Sequence, residues 1–304
     1  MNKHTLISVV GPTAIGKTRL AIELANYFNT EIISADSRQF YQEMTIGTAK
    51  PTPEELAAAP HHFIDFLPIS QLYSAGDFEQ DALTLLKQLF KKHPTIILVG
   101  GSGMYVNALT KGLDVFPNVP STIRAQLNDE LNTKGLSYLC EQLKSLDPTY
   151  YNEVDLNNKQ RVIRALEVCL ASGQAFSTFR TKQYLKTKRP FEVISIGLEA
   201  VRPTIYQQIN NRVDYMMDNG LLEEATKLYA FKHYNALQTV GYKELFAYLE
   251  NKYELPSAIE QIKTNTRRFA KRQLTWFKKN ETTTWFDIRE QDKIIPFILG
   301  QLNQ

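Results

Sequence analysis

An ammonium, a hydroxyl and a run of closely spaced backbone amides meet near the start of the sequence, and together they form a device for holding polyphosphate. The stretch Gly11-Pro12-Thr13-Ala14-Ile15-Gly16-Lys17-Thr18 fits the pattern GxxxxGK[ST]. In that pattern glycines let N–H groups curl round phosphate oxygens, and the helix that follows adds positive potential. The lysine supplies a point charge and the hydroxyl can hold Mg2+. Such a match arises by chance in about one chain in a hundred of this length. A strand before it and a helix after it lower those odds, which leaves a merely tight strand-to-helix turn as the weaker reading. The loop names phosphate, not a reaction, so kinase, NTPase and diphosphate-using transferase all stay open. An NTPase would close an apolar strand with an acidic residue to help hold Mg2+. Here TIILV at Thr95–Val99 runs into Gly100-Gly101-Ser102-Gly103, with no carboxylate, which weakens the motor and switch readings.

The second chemical group is Asp36, directly after EIISA and followed by Ser37, Arg38 and Gln39. It can serve as a cap for the next turn or as a base, and the residues alone leave these about even. Its expected place at the carboxyl edge of a sheet, beside a diphosphate site, favours accepting a proton from an attacking nucleophile. His61 and His62 are adjacent and have no third ligand at usable spacing, so loop packing or pocket hydrogen bonding is expected rather than metal binding. Gln160, Arg161 and Arg164 share a helical face, and that face could equally be a solvated one over apolar Val162, Ile163 and Leu166. From Lys263 to Lys279 there are seven basic residues and no acidic one. If the segment is helical, Phe269, Leu274 and Phe277 fall on one face and Arg267, Arg268, Lys271, Arg272, Lys278 and Lys279 on the other, a stripe suited to phosphates.

These groups need a frame. Thr5–Val10 reads as a buried strand, Lys17 to Phe28 as a helix, and Glu31 to Ser34 and Thr95–Val99 as further short strands. Between them Asp77 to Lys92 is helical in period through Phe78, Leu83, Leu85, Leu86 and Leu89. This alternation implies an α/β fold, a P-loop three-layer α/β/α core with a mostly parallel sheet and ligands beyond the carboxyl ends of its strands. After Pro117 to Pro120 only helical segments follow, one from Ser121 to Gly135 and one from Asn158 to Ser172 with Gly173 as its stop. Residues 118–189 are therefore expected to be an all-helical insertion, and 1–117 with 190–304 the catalytic core. Phe191 to Leu198 re-enters the sheet. Helices are expected over Pro203 to Met217, Leu221 to Phe231 and Ile259 to Lys279, with a last strand at Thr284 to Ile288.

Bulk properties agree with two domains. The 304 residues are 43 % hydrophobic and 22 % charged, an ordinary globular composition. A net charge of +3 and a pI of about 8.6 are too mild to establish a nucleic-acid partner by themselves. Cys140 and Cys169 lie far apart without ligand spacing, which excludes a disulfide framework or zinc site and predicts two buried thiols. The apolar run before Gly11 is too short for a signal peptide or membrane span, pointing to a cytoplasmic protein without membrane contact.

The motifs together resemble a known family. GPTAIGKTRLA, ISADSRQFY, GTAKPT at Gly47 to Thr52, PHHFID at Pro60 to Asp65, YSAGDF at Tyr73 to Phe78 and LVGGSGMY at Leu98 to Tyr105 follow one another in order. QRVIRALEV at Gln160 to Val168, VGYKE at Val240 to Glu244 and AKRQLTWFKK at Ala270 to Lys279 continue the series. The chain is similar in these stretches to bacterial tRNA dimethylallyltransferases, which prenylate N6 of the adenine 3′ to the anticodon. The resemblance implies dimethylallyl diphosphate as donor, the tRNA anticodon stem-loop as acceptor, Mg2+ as cofactor and a monomer. It assigns Asp36 to deprotonate the amine, and Lys17, Thr18 with Mg2+, Thr13 and the P-loop amides to hold the leaving group. Arg212, in NNRVDYM, matches the family's arginine for diphosphate; without the resemblance it reads as a solvated helix-surface residue. The flipped base meets Asp36 to Gln39, and a loop base costs less to extrude than a paired one. Ser102 and Arg124 match two further tRNA-contact positions, with Ser102 in place of a more usual threonine. Gln160, Arg161, Val162, Ile163, Arg164, Lys271 and Arg272 are assigned to tRNA in the same way. Asn157-Asn158-Lys159 departs from the family's pattern, which puts contacts near Asn158 in doubt. Three rivals stand beside this reading: a small-molecule or nucleoside kinase, a free-adenylate prenyltransferase, and an RNA-binding adaptor with a vestigial P-loop. The prenyltransferase would have little use for the insertion and the basic stripe, and intact Lys17, Thr18 and Asp36 speak against the adaptor.

Overall fold

Short β-branched runs without polar interruption must be buried on both faces, and they make the centre of this fold. The structure, a computed structural model, describes residues 4–182 and 188–303. Contacts divide the chain into two compact units, Met1–Thr110 with Arg189–Gln304, and Lys111–Lys188; the sequence had set the insertion at 118–189.

The larger unit begins with β1 (Thr5–Val10), α1 (Lys17–Tyr27), β2 (Ile32–Ser34) and α2 (Pro53–Ala58). It continues with β3 (His61–His62), α3 (Ala75–Leu89), β4 (Thr95–Val99) and α4 (Gly103–Thr110). The helical unit supplies α5 (Ser121–Lys134), α6 (Leu136–Leu146), α7 (Pro148–Glu153), α8 (Lys159–Ser172) and α9 (Phe176–Phe179). The chain then returns with β5 (Glu192–Glu199), α10 (Arg202–Asp218), α11 (Leu221–Leu228), α12 (Tyr242–Leu249), α13 (Leu255–Phe277), β6 (Thr283–Asp287) and α14 (Ile294–Leu302).

The six strands pair in the order β3-β2-β4-β1-β5-β6, and every pairing is parallel. Alternate residues of each strand feed opposite cores: Leu6, Val10, Ile96 and Leu98 lie in one, and Ile7, Val9, Ile97 and Val99 in the other. That period of two makes the three layers. Register then decides where chemistry can happen. Val9 is level with Val99, and Val99 with Ser34, so the residues that follow, Gly11, Gly101 and Asp36, leave the sheet at one edge. Ligand crevices form there, where neighbouring strands send their chains apart.

The helical unit has its own core of Leu127, Leu139, Leu143, Val162, Ile163 and Leu166. Gly135 and Gly173 end α5 and α8 as expected, Gly173 in the left-handed region at φ 68°. Cys140 and Cys169 are buried free thiols. The sequence reading missed α6 and α7, although α6 buries Leu139, Cys140 and Leu143 at helical spacing.

Candidate active site

The P-loop is wound by positive φ at Gly11 (147°), Ala14 (63°) and Gly16 (96°) before α1 begins at Lys17. A Cβ at Gly11 would stand 2.8 Å from the Leu198 carbonyl oxygen, so only glycine lets β1 turn so close to β5. Lys17 donates to the Pro12 carbonyl at 2.7 Å. The residue as a whole is partly exposed, but its ammonium lies deep among protein atoms. Loss of hydration, then repulsion from Arg212, lowers its pKa to about 7, and Asp36 opposes the change. Burial likewise lowers the Arg212 pKa, against attraction to Asp36 and Glu55. Arg212 donates to Thr13 Oγ1 at 3.3 Å, so the arginine that reads from sequence as a surface residue reaches the loop. Two poorly hydrated cations at the start of α1 make a site that favours an anion.

Gln273 is the connection that sequence reasoning missed. Its Oε1 accepts from the Thr13 amide at 2.8 Å and its Nε2 donates to the Gly101 carbonyl at 2.9 Å. It ties the P-loop to the loop after β4 and is 7 % exposed. The signal was available: on α13 it falls on the stripe of Ile262, Ala270 and Phe277, a polar residue where a core residue belongs. That stripe also corrects the expected face of α13. Phe269 and Leu274, five residues apart, are turned about 140° from one another around a 3.6-residue helix and cannot share one face; Phe269 lies on the side of Ile262 and is 38 % exposed because it borders the cavities described below. The basic stripe is also thinner than its sequence implies, since Lys263 pairs with Asp214, Arg267 with Glu260 and Lys278 with Glu199. Lys271 and Arg272 are exposed.

Asp36 does two things at once. Its Oδ1 accepts from the Arg38 amide at 3.0 Å, making the turn that a cap would make, and its residue borders both cavities described below. The Ser37 amide donates to Ser102 Oγ at 3.0 Å, which in turn lies 3.1 Å from Ser37 Oγ. Arg38 Nη1 donates to the Ser37 carbonyl at 3.2 Å. Gln39 is turned to structural work: its Nε2 donates to the Thr48 and Ala49 carbonyls at 3.3 and 3.0 Å. The same loop is fastened from α11, where Glu224 accepts from the amides of Thr45, Ile46 and Gly47 at 2.8 to 2.9 Å and from the Tyr242 hydroxyl at 2.6 Å.

Two cavities open at this edge. One of about 510 Å³ has Asp36, Ser37, Arg38, Ser102 and Arg272 in its wall. The other, of about 450 Å³, is walled by the loop from Thr13 to Thr18 with Gln273. Thr13, Asp36, Thr48, Arg212 and Phe269 belong to both. The three glycines after β4 are pressed on by neighbours: a Cβ at Gly100 would lie 2.3 Å from the Ala35 oxygen, at Gly101 2.4 Å from Gln273 Nε2, and at Gly103 2.2 Å from the Trp276 ring.

The remaining expected site residues belong to the helical unit. Gln160 and Arg161 are exposed on α8. Val162 and Ile163, expected to meet tRNA, are 0 % and 2 % exposed and lie in the unit's core; the helical period that exposes Gln160 and Arg161 turns the next two side chains inward. Arg124 makes a two-pronged ion pair with Glu167, its Nη2 at 2.8 Å from Oε2. Arg164 Nη1 lies 3.4 Å from the same oxygen, with its guanidinium 5.5 Å from the Phe116 ring centroid. Asn158, in the departing stretch, caps α8 by accepting from the Arg161 amide. His62 lies 2.6 Å from Glu31 and His61 engages the Ala59 carbonyl at 2.8 Å.

The model of the family described as IPP transferase matches residues 39–280. The chain belongs to the IPP transferase family. Among relatives, a tRNA dimethylallyltransferase of Christiangramia forsetii is 54 % identical over 98 % of each chain. The full-length tRNA isopentenylpyrophosphate transferase of Bacillus halodurans superposes with a TM-score of 0.73 at 38 % identity, covering 99 % of this chain and 97 % of that one. A eukaryotic dimethylallyltransferase, described as acting on tRNA, gives a TM-score of 0.77 at 27 % identity over 94 % and 74 % of the two chains. The IPP transferase fold is therefore the α/β architecture with its all-parallel sheet.

Proposed function

We propose that the chain transfers a dimethylallyl group from dimethylallyl diphosphate to the N6 amine of the adenine 3′ to the anticodon of tRNA, releasing diphosphate. The observation that carries this reading is that Asp36 and the Arg212–Thr13 pair border both cavities at once. A base for the nucleophile's proton and a cation for the leaving group thus stand in the wall that the two cavities share. The P-loop amides, Lys17, Arg212 and Thr13 hold the diphosphate and take up its growing charge as the C–O bond breaks. Asp36 orients the amine and accepts its proton as the C–N bond forms. Ser37, Arg38 and Ser102 border the larger cavity and offer hydrogen bonds to the edges of an extruded purine.

Among the described residues no group of three or more His, Cys, Asp and Glu is placed to hold a metal. Mg2+ in phosphate sites takes few protein ligands and several phosphate oxygens and waters, and the Thr18 hydroxyl at the start of α1 fits that role. When bound, Mg2+ would supply neutralisation of the diphosphate charge.

Incubation with Mg2+, dimethylallyl diphosphate and unmodified tRNA should yield prenyl-adenosine, detected by mass after nucleoside digestion, only when the diphosphate donor is present. ATP consumption in its place would support a kinase. Asp36→Ala should bind tRNA within about an order of magnitude of the parent and lose most turnover, whereas full activity would reject the general-base role.

A further inference from the structure

Helix α13 buries Ala258, Ile262, Ala270, Gln273 and Phe277, yet Phe269, on the same side as Ile262, is 38 % exposed. A large apolar side chain left open to solvent forgoes the stabilisation that burial would bring. Its position is informative, because it borders both cavities and is the only aromatic ring to border either among the described residues. The other residues common to the two walls are Thr13, Asp36, Thr48 and Arg212. In the transfer reaction proposed above, on which this inference rests, Arg212 and Thr13 address the departing oxygen and Asp36 addresses the attacking nitrogen. The carbon that changes partners must lie between them, and so beside Phe269.

An allylic carbon gains positive charge when its C–O bond lengthens ahead of C–N bonding. The surroundings offer that charge little relief. Lys17 and Arg212 are cations turned to the diphosphate, and the one carboxylate at the junction, Asp36, is committed to the amine. A free carboxylate or hydroxyl beside the carbon would also compete as a nucleophile. An aromatic face attracts a cation through its quadrupole and forms no bond. The Arg272 guanidinium lies 5.7 Å from the Phe269 ring centroid, so the developing charge would use the ring face that Arg272 leaves open.

We propose that Phe269 is a catalytic residue whose ring face stabilises the positive charge developing on the transferred allylic carbon. The amine lone pair makes the C–N bond, the C–O electron pair leaves with the diphosphate, and the amine proton passes to Asp36. Phe269 exchanges neither atoms nor electrons with the substrate.

Fluorination drains electron density from a phenyl face with little change in its volume, so the test replaces Phe269 in the full chain by mono-, di- and trifluorophenylalanine. Single-turnover rates on unmodified tRNA are then measured at saturating dimethylallyl diphosphate. The rate should fall stepwise along the series, by about tenfold at the end, with KM for both substrates unchanged. Phe269→Leu should lose at least as much and Phe269→Tyr should retain most of the rate. A flat rate across the series overturns the proposal. So does a flat rate with a rising KM for tRNA, which would assign the ring to stacking on the acceptor purine. Absence of prenyl-adenosine from the unsubstituted protein would overturn the transfer reaction and this inference with it.

Discussion

Lys17 carries two demands that conflict until a ligand arrives. It must be charged to hold diphosphate, but in the ligand-free protein burial and Arg212 lower its pKa from 10.5 to about 7. Between those values the unfolded chain binds a proton that the folded chain does not. Stability must therefore rise with pH across that window, by at most about 1.4 kcal/mol per pH unit from this group, and the full penalty stands below about pH 7. Lys17→Met should remove that rise and should exceed the parent in stability most at neutral pH. Urea unfolding of both proteins at several pH values between about 7 and 10 measures it, and parallel stability curves would reject it. Gln273 can be tested in the same ligand-free protein. Gln273→Leu leaves the Thr13 amide and the Gly101 carbonyl without partners and should cost about 2–3 kcal/mol. It should also raise KM for the diphosphate donor more than KM for tRNA. An equal rise in both would argue that Gln273 supports the fold alone.

At the scale of elements, much of the frame was legible and much of the positioning was not. Strands such as TIILV and EIIS announce themselves because a strand buried on both faces needs an unbroken apolar run, and Gly16-Lys17 and Gly173 mark helix ends by their chemistry. The two residues of β3, His61 and His62, have no strand-like composition, and among the described residues β2 is the one strand they pair with. Phe269 was misplaced because an apolar residue at the mouth of a cavity looks, in sequence, like a core residue. Val162 and Ile163 were given to tRNA by motif membership, although their own helical period places them inside. The loop from Met44 to Lys50 shows how elements position a wall: Glu224 of α11 gathers three of its amides, and Tyr242 of α12, 0 % exposed, closes against it. A Cβ at Gly47 would stand 2.6 Å from the Tyr242 ring, so Gly47→Ala should destabilise by about 1–3 kcal/mol through overpacking. Unchanged thermal unfolding would show that this ring can give way.

Across the whole molecule, the sheet explains why distant segments meet. Parallel strands all release the chain at the same edge, and helices packed on the sheet reach that edge from elsewhere in the sequence, so Thr13 comes to be bonded by Gln273 and Arg212, separated from it by 260 and 199 residues. No local pattern encodes such pairs; they follow from where α10 and α13 pack. Charge must also be read at this scale. Of the seven basic residues from Lys263 to Lys279, three are paired with acids of other segments or of an earlier turn, which leaves four for phosphate. The salt dependence of tRNA affinity arising from α13 should therefore not exceed a slope of about 3, at roughly 0.7 per single-strand phosphate. Subtracting the slope of a variant with all seven of these residues changed to Gln measures it, and a difference near five would mean that the ion pairs open on binding. The glycines behind β4 set a boundary on change. Gly100 abuts the backbone after β2, Gly101 abuts the Gln273 side chain and Gly103 abuts the Trp276 ring, so an aspartate at Gly100 would have to move a second segment and one at Gly101 or Gly103 would have to displace a side chain of α13. A lineage or an engineer seeking triphosphate hydrolysis from this scaffold would have to give up the Gln273 tether or the Trp276 packing, or shift the backbone after β2, to place the missing acid at any of these glycines.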